Sequence, residues 1–166
     1  SAFYHCNNLK TIVIPEGVTE LGPDVFRGCS SLVSVVFSEN CGIEGISLWA
    51  FQNCNNLRSI NLPKSLIQIN KEAFSGRISL KKITLPGSLL IIGEDAFNGC
   101  IALDSLIIPA EVETIEGNPF SGCTSLEYIS VVESNPNFDS RENCNAIIAS
   151  TDGIFFDRTK DCLICA

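Results

Sequence analysis

Aromatic and aliphatic residues recur along the chain at a nearly constant interval. The reference column is a phenylalanine, which returns every 23 residues, with one interval of 25, at Phe3, Phe26, Phe51, Phe74, Phe97 and Phe120. A leucine follows each phenylalanine by six positions, at Leu9, Leu32, Leu57, Leu80, Leu103 and Leu126. A period that several columns share is the signature of a repeat protein. The pattern therefore predicts about six stacked units.

Within each unit, the alternation of apolar and polar residues indicates a β-strand. In the fourth unit Ile83 and Leu85 are apolar, whereas Lys82 and Thr84 between them are polar. Residues two apart point to the same side of a strand, so the isoleucine and leucine are expected to face the core. Pro86 follows and ends the strand, because proline has no amide hydrogen to donate. One strand per coil, stacked like over like, predicts a solenoid with ladders of identical residues inside.

The second half of each unit carries another apolar pair, such as Leu66 with Ile69, and the 25-residue interval is a two-residue insertion between Phe37 and Ile43. The short segment before each phenylalanine, for example Glu94 to Phe97, is too brief for a long helix. We expect it to form a 3₁₀ or short helical turn with its acidic residues near the amino end.

These columns carry a resemblance to a known family. The unit Ala-Phe-x-x-Cys-x-x-Leu-x-x-Ile-x-Ile-Pro, visible from Ala96 to Pro109, closely resembles the BspA-like (Treponema-type) leucine-rich repeats. The resemblance covers residues 1 to about 132, with departures at Arg77, Ser38 and Val132. It implies an α/β repeat fold: a right-handed leucine-rich-repeat solenoid with a concave parallel β-sheet, short 3₁₀ or helical turns on the convex side, and a β-hairpin tail.

The resemblance also implies a biological setting. Proteins of this type are bacterial, or protozoan, surface or secreted proteins engaged in adhesion and partner binding, so a secreted or cell-surface location is expected on this ground alone. Residues 135–148 look like the linking segment between repeat blocks in such proteins.

Two regions are predicted. Residues 1–132 form the solenoid, which we expect to be truncated at its N-terminus because Phe3 already lies in mid-unit. Residues 133–166 form a β-hairpin segment that caps the solenoid or links it to further repeats. Three short strands are predicted in this tail, at Ala146 to Ala149, Ile154 to Phe156 and Cys162 to Cys165.

Composition and charge exclude several classes of function. The 166 residues are 45% hydrophobic, which is ample for a continuous core. The net charge of -8 argues against nucleic acid and against an anionic membrane surface as partners, because both attract clustered basic residues. No apolar run is long enough to insert into a bilayer, and residues 1–20 lack a signal pattern.

Nine cysteines are many for this length. Five of them share one column, three positions after the phenylalanine, at Cys6, Cys29, Cys54, Cys100 and Cys123. Column membership explains their spacing, so we expect small buried side chains. Cys162 and Cys165 form a single C-x-x-C without the second pair that zinc would need. Cys41 and Cys144 lie outside the column and could be paired.

Residues for catalysis or metal binding are scarce. The single histidine, His5, stands in a column otherwise filled by Gly or Asn. Asp24, Glu72 and Asp95 recur in one repeat column, so a structural role at the turn accounts for them. The carboxylates at Glu111, Glu113 and Glu116 form an acidic turn without a calcium-loop pattern. We therefore expect no enzyme activity, no cofactor and no metal.

The outward columns of the predicted concave sheet are the candidate binding surface. We select Lys81, Lys82, Thr84, Ile107 and Tyr128, because aliphatic and aromatic residues beside a basic cluster are typical of a contact surface. Lys10 and Arg58 lie in the same column as Lys81, which then changes sign at Asp104 and Glu127. A solvated sheet face would also contain such β-branched residues, so this alternative stays open.

Trp49 is a second candidate. It stands two positions before Phe51, where the other units carry small or polar residues. The indole either packs against the neighbouring insertion or forms an exposed aromatic anchor for a partner or a sugar.

Three functions remain. The first is a non-enzymatic protein-binding or adhesion module that binds an extracellular protein or other macromolecule through the concave sheet. The second is a structural spacer that carries other domains. The third is a carbohydrate-binding module, which would need several aromatic side chains in line, whereas the sequence offers Tyr4, Trp49 and Tyr128.

Overall fold

The structure is a computed structural model that describes residues 1–76 and 78–140, and the backbone of 146–149 and 164–165. Short strands dominate it. In chain order they are β1 Thr11–Ile14, β2 Ser34–Phe37, β3 Gly45–Ile46, β4 Ser59–Asn61, β5 Gln68–Ile69, β6 Ile91–Ile92, β7 Ser105–Ile108, β8 Thr114–Ile115, β9 Tyr128–Val131, β10 Phe138–Asp139, β11 Ala146–Ala149 and β12 Ile164–Cys165.

The first strands of successive coils stack as parallel neighbours. β1 pairs with β2 and β2 with β4, so that Thr11 lies beside Ser34 and Ser34 beside Ser59. β7 pairs with β9 in the same way. Each residue therefore lies beside its equivalent one repeat later, which confirms the predicted parallel stacking. Proline follows directly after β1 and β7, at Pro15 and Pro109, where it ends the strand. We call this side of the solenoid the front sheet.

The front sheet is interrupted at the fourth coil. A single parallel bridge joins Lys82 to Ser105, and within the described residues no ladder joins β4 to the fourth coil. This repeat has arginine where the others have the column cysteine. Ile78 is fully buried in its turn, whereas Ile101, at the same repeat position in the next coil, is 44% exposed. The amide of Ile78 donates to the Gly76 carbonyl, two residues back, at 2.6 Å. The burial of Ile78 in this turn thus accompanies the loss of regular strand pairing in the front sheet. Arg77 itself lies outside the described residues.

A second parallel sheet forms the next side of the solenoid, after the turn that follows the front strand of each coil. Its order is β3-β5-β6-β8, and a bridge from Leu21 to Ile46 extends it to the first coil. The inward residues of this sheet, Ile46, Ile69, Ile92 and Ile115, are all buried. The two sheets together enclose the predicted ladders, and the chain is a parallel β-solenoid of about five turns.

The third side of each coil is the phenylalanine segment. Backbone amides there donate to the next coil, from Phe26 to the Ala50 carbonyl at 2.9 Å and from Phe51 to the Ala73 carbonyl at 2.8 Å. The rings stack above one another with centroids 5.2 to 5.5 Å apart from Phe3 to Phe120. Full burial of one such ring contributes about 1.5–3 kcal/mol.

The helical turns predicted for this segment are not confirmed, because no helix occurs in the described part of the chain. The reason lies in the backbone. Residues two positions before the phenylalanine have a positive φ, at Asp24, Trp49, Glu72 and Asp95. A residue in the left-handed region interrupts any right-handed helix. Two positions after the phenylalanine φ is again positive, which explains the column of Gly and Asn, since these residues tolerate that region best.

The described strands of the tail lie against the last coil. β10 pairs antiparallel with β11, β11 pairs antiparallel with β12, and both β10 and β11 lie against β9. The Val131 amide donates to the Ser140 hydroxyl at 3.2 Å. The predicted strand at Ala146–Ala149 is confirmed, and β12 lies within the predicted strand from Cys162 to Cys165. The strand predicted at Ile154 to Phe156 lies outside the described residues, and the sequence did not predict β10. The boundary at residue 132 stays a prediction.

Candidate binding surface

The candidate surface is built from the outward residues of the front sheet, which we call the front face. In β1 and β2 the inward Ile14 and Val35 are buried, whereas Val13 and Val36 point outward and are 63% and 43% exposed. In β7 and β9 the exposed residues are Ile107 at 56% and Tyr128 at 48%. Alternation along each strand produces this division. The exposed aliphatic residues contribute little to folding and remain available for contact.

Strand pairing brings several predicted site residues together. Lys82 lies beside Ser105, which lies beside Tyr128, so the lysine and the tyrosine are two strands apart, or about 10 Å. In the outward column two residues further on, Thr84 precedes Ile107 by one repeat, and Ile107 lies beside Ser130. Lys81 and Lys82 are both exposed. The structure thus places all five predicted residues on neighbouring coils of one face, while their role in binding stays a prediction.

Trp49 lies elsewhere, in the phenylalanine segment. Its side chain is half-buried and its φ is 57°. The guanidinium of Arg27, from the preceding coil, lies 5.0 Å from the centroid of the indole ring, and its Nη1 is 2.9 Å from Asp24 Oδ1. A cation over a tryptophan ring contributes about 0.5–1 kcal/mol at an exposed site. The ring therefore already has an intramolecular partner, and a role as an anchor for a ligand stays a prediction.

The repeat matches a known protein family over most of the chain. Six copies of the BspA type leucine rich repeat region match residues 1–127. The chain belongs to the BspA-type leucine-rich repeat family. No curated protein sequence matches it at a significant level.

Solved structures of bacterial proteins share the fold. A leucine-rich repeat protein from Bacteroides ovatus is 34% identical, with a TM-score of 0.73, and the match covers 82% of this chain and 34% of that one. The pneumococcal vaccine antigen PcpA is 30% identical, with a TM-score of 0.76, over 85% of this chain and 34% of that one. A leucine rich cell surface protein from Faecalibacterium prausnitzii is 29% identical, with a TM-score of 0.59, over 88% and 45%. This BspA-type chain therefore spans less than half the length of each of these relatives.

Four of the five column cysteines of this BspA-type solenoid are buried, and Cys6 of the first coil is half-buried. The thiol of Cys54 donates to the Phe26 carbonyl at 3.0 Å, and Cys29 donates to the Phe3 carbonyl at 2.9 Å. Cys100 and Cys123 contact the phenylalanine carbonyls of their preceding coils in the same way. Each thiol thus fills a small apolar position and also bonds a main-chain oxygen of the coil below, which confirms the predicted structural role.

Burial favours the protonated form of the thiols of Cys29 and Cys54. It raises the pKa of the Cys54 thiol to about 12 and also raises the pKa of Cys29. The thiol of Cys123 together with burial raises the pKa of Cys100. A protonated, buried thiol is a poor nucleophile and a poor metal ligand.

Of Cys41 and Cys144, the two cysteines predicted to lie outside the column and to be available for pairing, the structure describes only Cys41. Cys41 is buried in the insertion, where its thiol lies 3.5 Å from the Val18 carbonyl, and it is a free thiol. Cys144 and Cys162 lie outside the described residues, and only the strand backbone of Cys165 is described.

The carboxylates and the histidine have local partners or face solvent. Glu72 accepts a hydrogen bond from Gln52 at 2.9 Å, and Asp95 accepts one from Asn98 at 3.1 Å. His5 is exposed and contacts the edge of Tyr4. The acidic turn at Glu111, Glu113 and Glu116 is exposed, and Glu111 and Glu113 border an open cavity of about 310 Å³. Within residues 1–76 and 78–140, no three His, Cys, Asp or Glu side chains are arranged to hold a metal ion.

No helix in the described part of the chain is long and apolar enough to cross a membrane.

The sequence analysis missed Asn135, a buried polar residue of the tail. Its Nδ2 donates to the carbonyls of Pro109 and Val112 at 2.9 and 3.0 Å, and its Oδ1 accepts from the amides of Asn137 and Phe138 at 2.7 and 2.9 Å. The available signal was the Asn-Pro-Asn-Phe segment itself, in which asparagine precedes proline where the period ends.

Proposed function

We propose that this chain is a non-enzymatic protein-binding or adhesion module of a secreted or cell-surface protein, and that the front face forms its contact surface. The observation that carries the proposal is the exposure of Val13, Val36, Ile107 and Tyr128 on one face of an otherwise regularly packed solenoid. Burying one such aliphatic side chain against a partner would contribute about 1.5–3 kcal/mol. Tyrosine is one of the residues that interfaces favour.

The secreted or surface location is supported by the relatives. One solved relative is described as a cell surface protein and another as a vaccine antigen. Both are longer than this chain, so the activity of the whole parent protein belongs to the proposal as well.

The alternatives receive less support. A carbohydrate site would need aromatic rings in line on one face, but Tyr128 is on the front sheet, whereas Tyr4 and Trp49 are in the phenylalanine segment. The indole of Trp49 is also partly covered by Arg27. A structural spacer does not account for the aliphatic residues exposed on the front face.

A pair of matched double variants tests the proposal. The chain is first screened against an array of purified secreted and cell-surface proteins, and the strongest interaction is titrated by biolayer interferometry. Lys82→Glu with Tyr128→Ala is expected to raise the Kd at least tenfold, because truncating an interface aromatic alone costs about 1–2 kcal/mol or more. The control is Lys64→Glu with Tyr4→Ala, in which the tyrosine has the same exposure of 48% but lies outside the front sheet.

The control is expected to keep the Kd within about twofold. An unchanged Kd for the front-face variant would refute the proposal. If Trp49→Ala alone abolished binding, the site would be in the phenylalanine segment beside the insertion. If no protein on the array bound above the level of an unfolded chain, the spacer function would be favoured.

A further inference from the structure

The basic residues of the chain are not evenly distributed over its faces. The structure describes seven Lys and Arg side chains. Three of them are paired with carboxylates: Arg27 with Asp24 at 2.9 Å, Lys71 with Glu94 at 2.6 Å and Lys64 with Glu39 at 3.8 Å. Among the described residues, the other four form no ion pair, namely Lys10, Arg58, Lys81 and Lys82.

These four unpaired side chains share one edge of the front face. Lys10, Arg58 and Lys81 occupy the repeat position directly before the first strand of each coil, and Lys82 occupies the next position. Main-chain bonds confirm that this position is stacked from coil to coil, since the Arg58 amide donates to the Val33 carbonyl at 2.9 Å and the Val33 amide to the Lys10 carbonyl at 2.7 Å. All four side chains are exposed. Among the seven basic residues that the structure describes, the positive charge available to a partner is therefore concentrated here.

The same edge turns acidic in the last two coils. Asp104 and Glu127 stand at the equivalent positions, as the Glu127 amide, which donates to the Asp104 carbonyl at 3.0 Å, shows. Beside the basic edge lies an exposed column in which Val13, Val36 and Ile107 are aliphatic, whereas Asn61 and Thr84 of the third and fourth coils are polar. A ligand along this face thus meets cations on the first, third and fourth coils, aliphatic side chains on the first, second and fifth, and the Asp104 carboxylate toward the far end.

We propose that the front face binds an extended segment of a partner protein that carries acidic side chains alternating with aliphatic ones. Coils are about 4.8 Å apart, so the first four coils span about 15 Å, which an extended peptide covers with about five residues. Its carboxylates contact Lys81, Lys82 and Arg58, and its aliphatic side chains cover Val13 and Val36. A sulfated polysaccharide is the poorer fit, because it offers no apolar side chains and its uniform negative charge would meet Asp104.

This inference rests on the proposed function, since it names the chemistry of the partner at the same face. A random nonamer peptide display library, selected on the immobilised chain, tests it. Enriched peptides are expected to combine net negative charge with Val, Ile or Leu. Lys81→Glu with Lys82→Glu is expected to weaken the binding of the selected peptides at least tenfold, because two attractive contacts become repulsive.

The control is Lys64→Glu with Lys71→Glu, which changes the net charge equally but on other faces. It is expected to keep the affinity within about twofold, and raising the salt from 50 to 500 mM is expected to weaken binding to the wild type. Thermal midpoints within a few degrees of wild type confirm that both variants fold.

Enrichment of neutral or basic peptides, or equal affinity for the two double variants, would overturn the inference. Neutral or basic peptides could be enriched and yet lose their binding to the Lys82→Glu with Tyr128→Ala variant. In that case the front face would remain the binding surface, and only its specificity for acidic peptides would be wrong. Micromolar binding of heparin without enrichment of acidic peptides would also overturn the inference and favour an anionic polysaccharide.

Discussion

Replacing Phe74 with alanine is expected to lower the free energy of unfolding by about 3–5 kcal/mol. The ring is fully buried and stacked between Phe51 and Phe97, with centroids 5.2 and 5.3 Å away. Each stacked aromatic pair adds about 0.5–1.5 kcal/mol beyond the burial of its surface. In a solenoid each coil contacts only its neighbours, so a cavity in the middle weakens the coupling between the two halves. Urea unfolding followed by circular dichroism measures the change.

The control for this prediction is the same substitution at the end of the stack. Phe3 is only partly buried and has one described stacked neighbour, Phe26, at 5.3 Å. Phe3→Ala is therefore expected to cost about 1–2 kcal/mol, well below the central substitution. Losses of equal size at the two positions, or a loss below 1 kcal/mol at Phe74, would show that the ring stack does not couple the coils.

The second large effect is expected at Asn135. Leucine has a similar branched shape but can neither donate to the carbonyls of Pro109 and Val112 nor accept from the amides of Asn137 and Phe138. Because buried main-chain groups would lose their partners, Asn135→Leu is expected to destabilise the chain by about 2–4 kcal/mol. Hydrogen exchange of the Phe138 amide is expected to accelerate by more than the loss of global stability explains, because the tail detaches first.

A neighbouring asparagine provides the control. Asn137 Nδ2 makes one long hydrogen bond to the Val112 carbonyl at 3.4 Å, so Asn137→Ala is expected to cost less than about 1 kcal/mol. Asn135→Asp keeps the acceptor oxygen but places a carboxylate near two carbonyls, and we expect a loss between those of the other two variants. An Asn135→Leu variant as stable as wild type would mean that the tail is held on the last coil by other contacts.

The sequence predicted the strands of the front sheet well, because each strand is determined by the alternation of neighbouring residues. Alternation alone places Val35 inside and Val36 outside β2, and the 23-residue period places each strand beside the next. The exposed columns follow from the same two facts, so the sequence alone predicts all five front-face residues. The family assignment had the same basis.

Features that depend on non-local geometry were harder to predict. The positive φ of Glu72 and Asp95 arises because alternate amides of the segment turn toward the next coil, and nothing in an acidic residue before alanine and phenylalanine indicates this. β10 is two residues long and gains its order from Asn135 and β11. The interruption of the front sheet at Lys82 accompanies the burial of Ile78, which depends on contacts between coils.

Which basic side chains form no ion pair could be learned only from the structure. The sequence shows where Lys10, Arg58, Lys81 and Lys82 recur, but whether a lysine has a carboxylate nearby depends on contacts between coils, as for Lys71 with Glu94 across one repeat. The hydrogen bond to Glu94 raises the pKa of the Lys71 ammonium. The front face is therefore distinguished by basic side chains that form no ion pair among the described residues.

Position-specific photo-crosslinking tests the role of the front face most directly. Ile107 and Ile101 are both exposed isoleucines, at 56% and 44%, but only Ile107 belongs to the front sheet. A benzoylphenylalanine at each position is irradiated in the presence of the partner from the protein array, and the yield of crosslinked complex is measured. The proposal predicts a high yield from position 107 and background from position 101. A higher yield from position 101, or equal yields from both, would contradict the assignment of the front face as the contact surface.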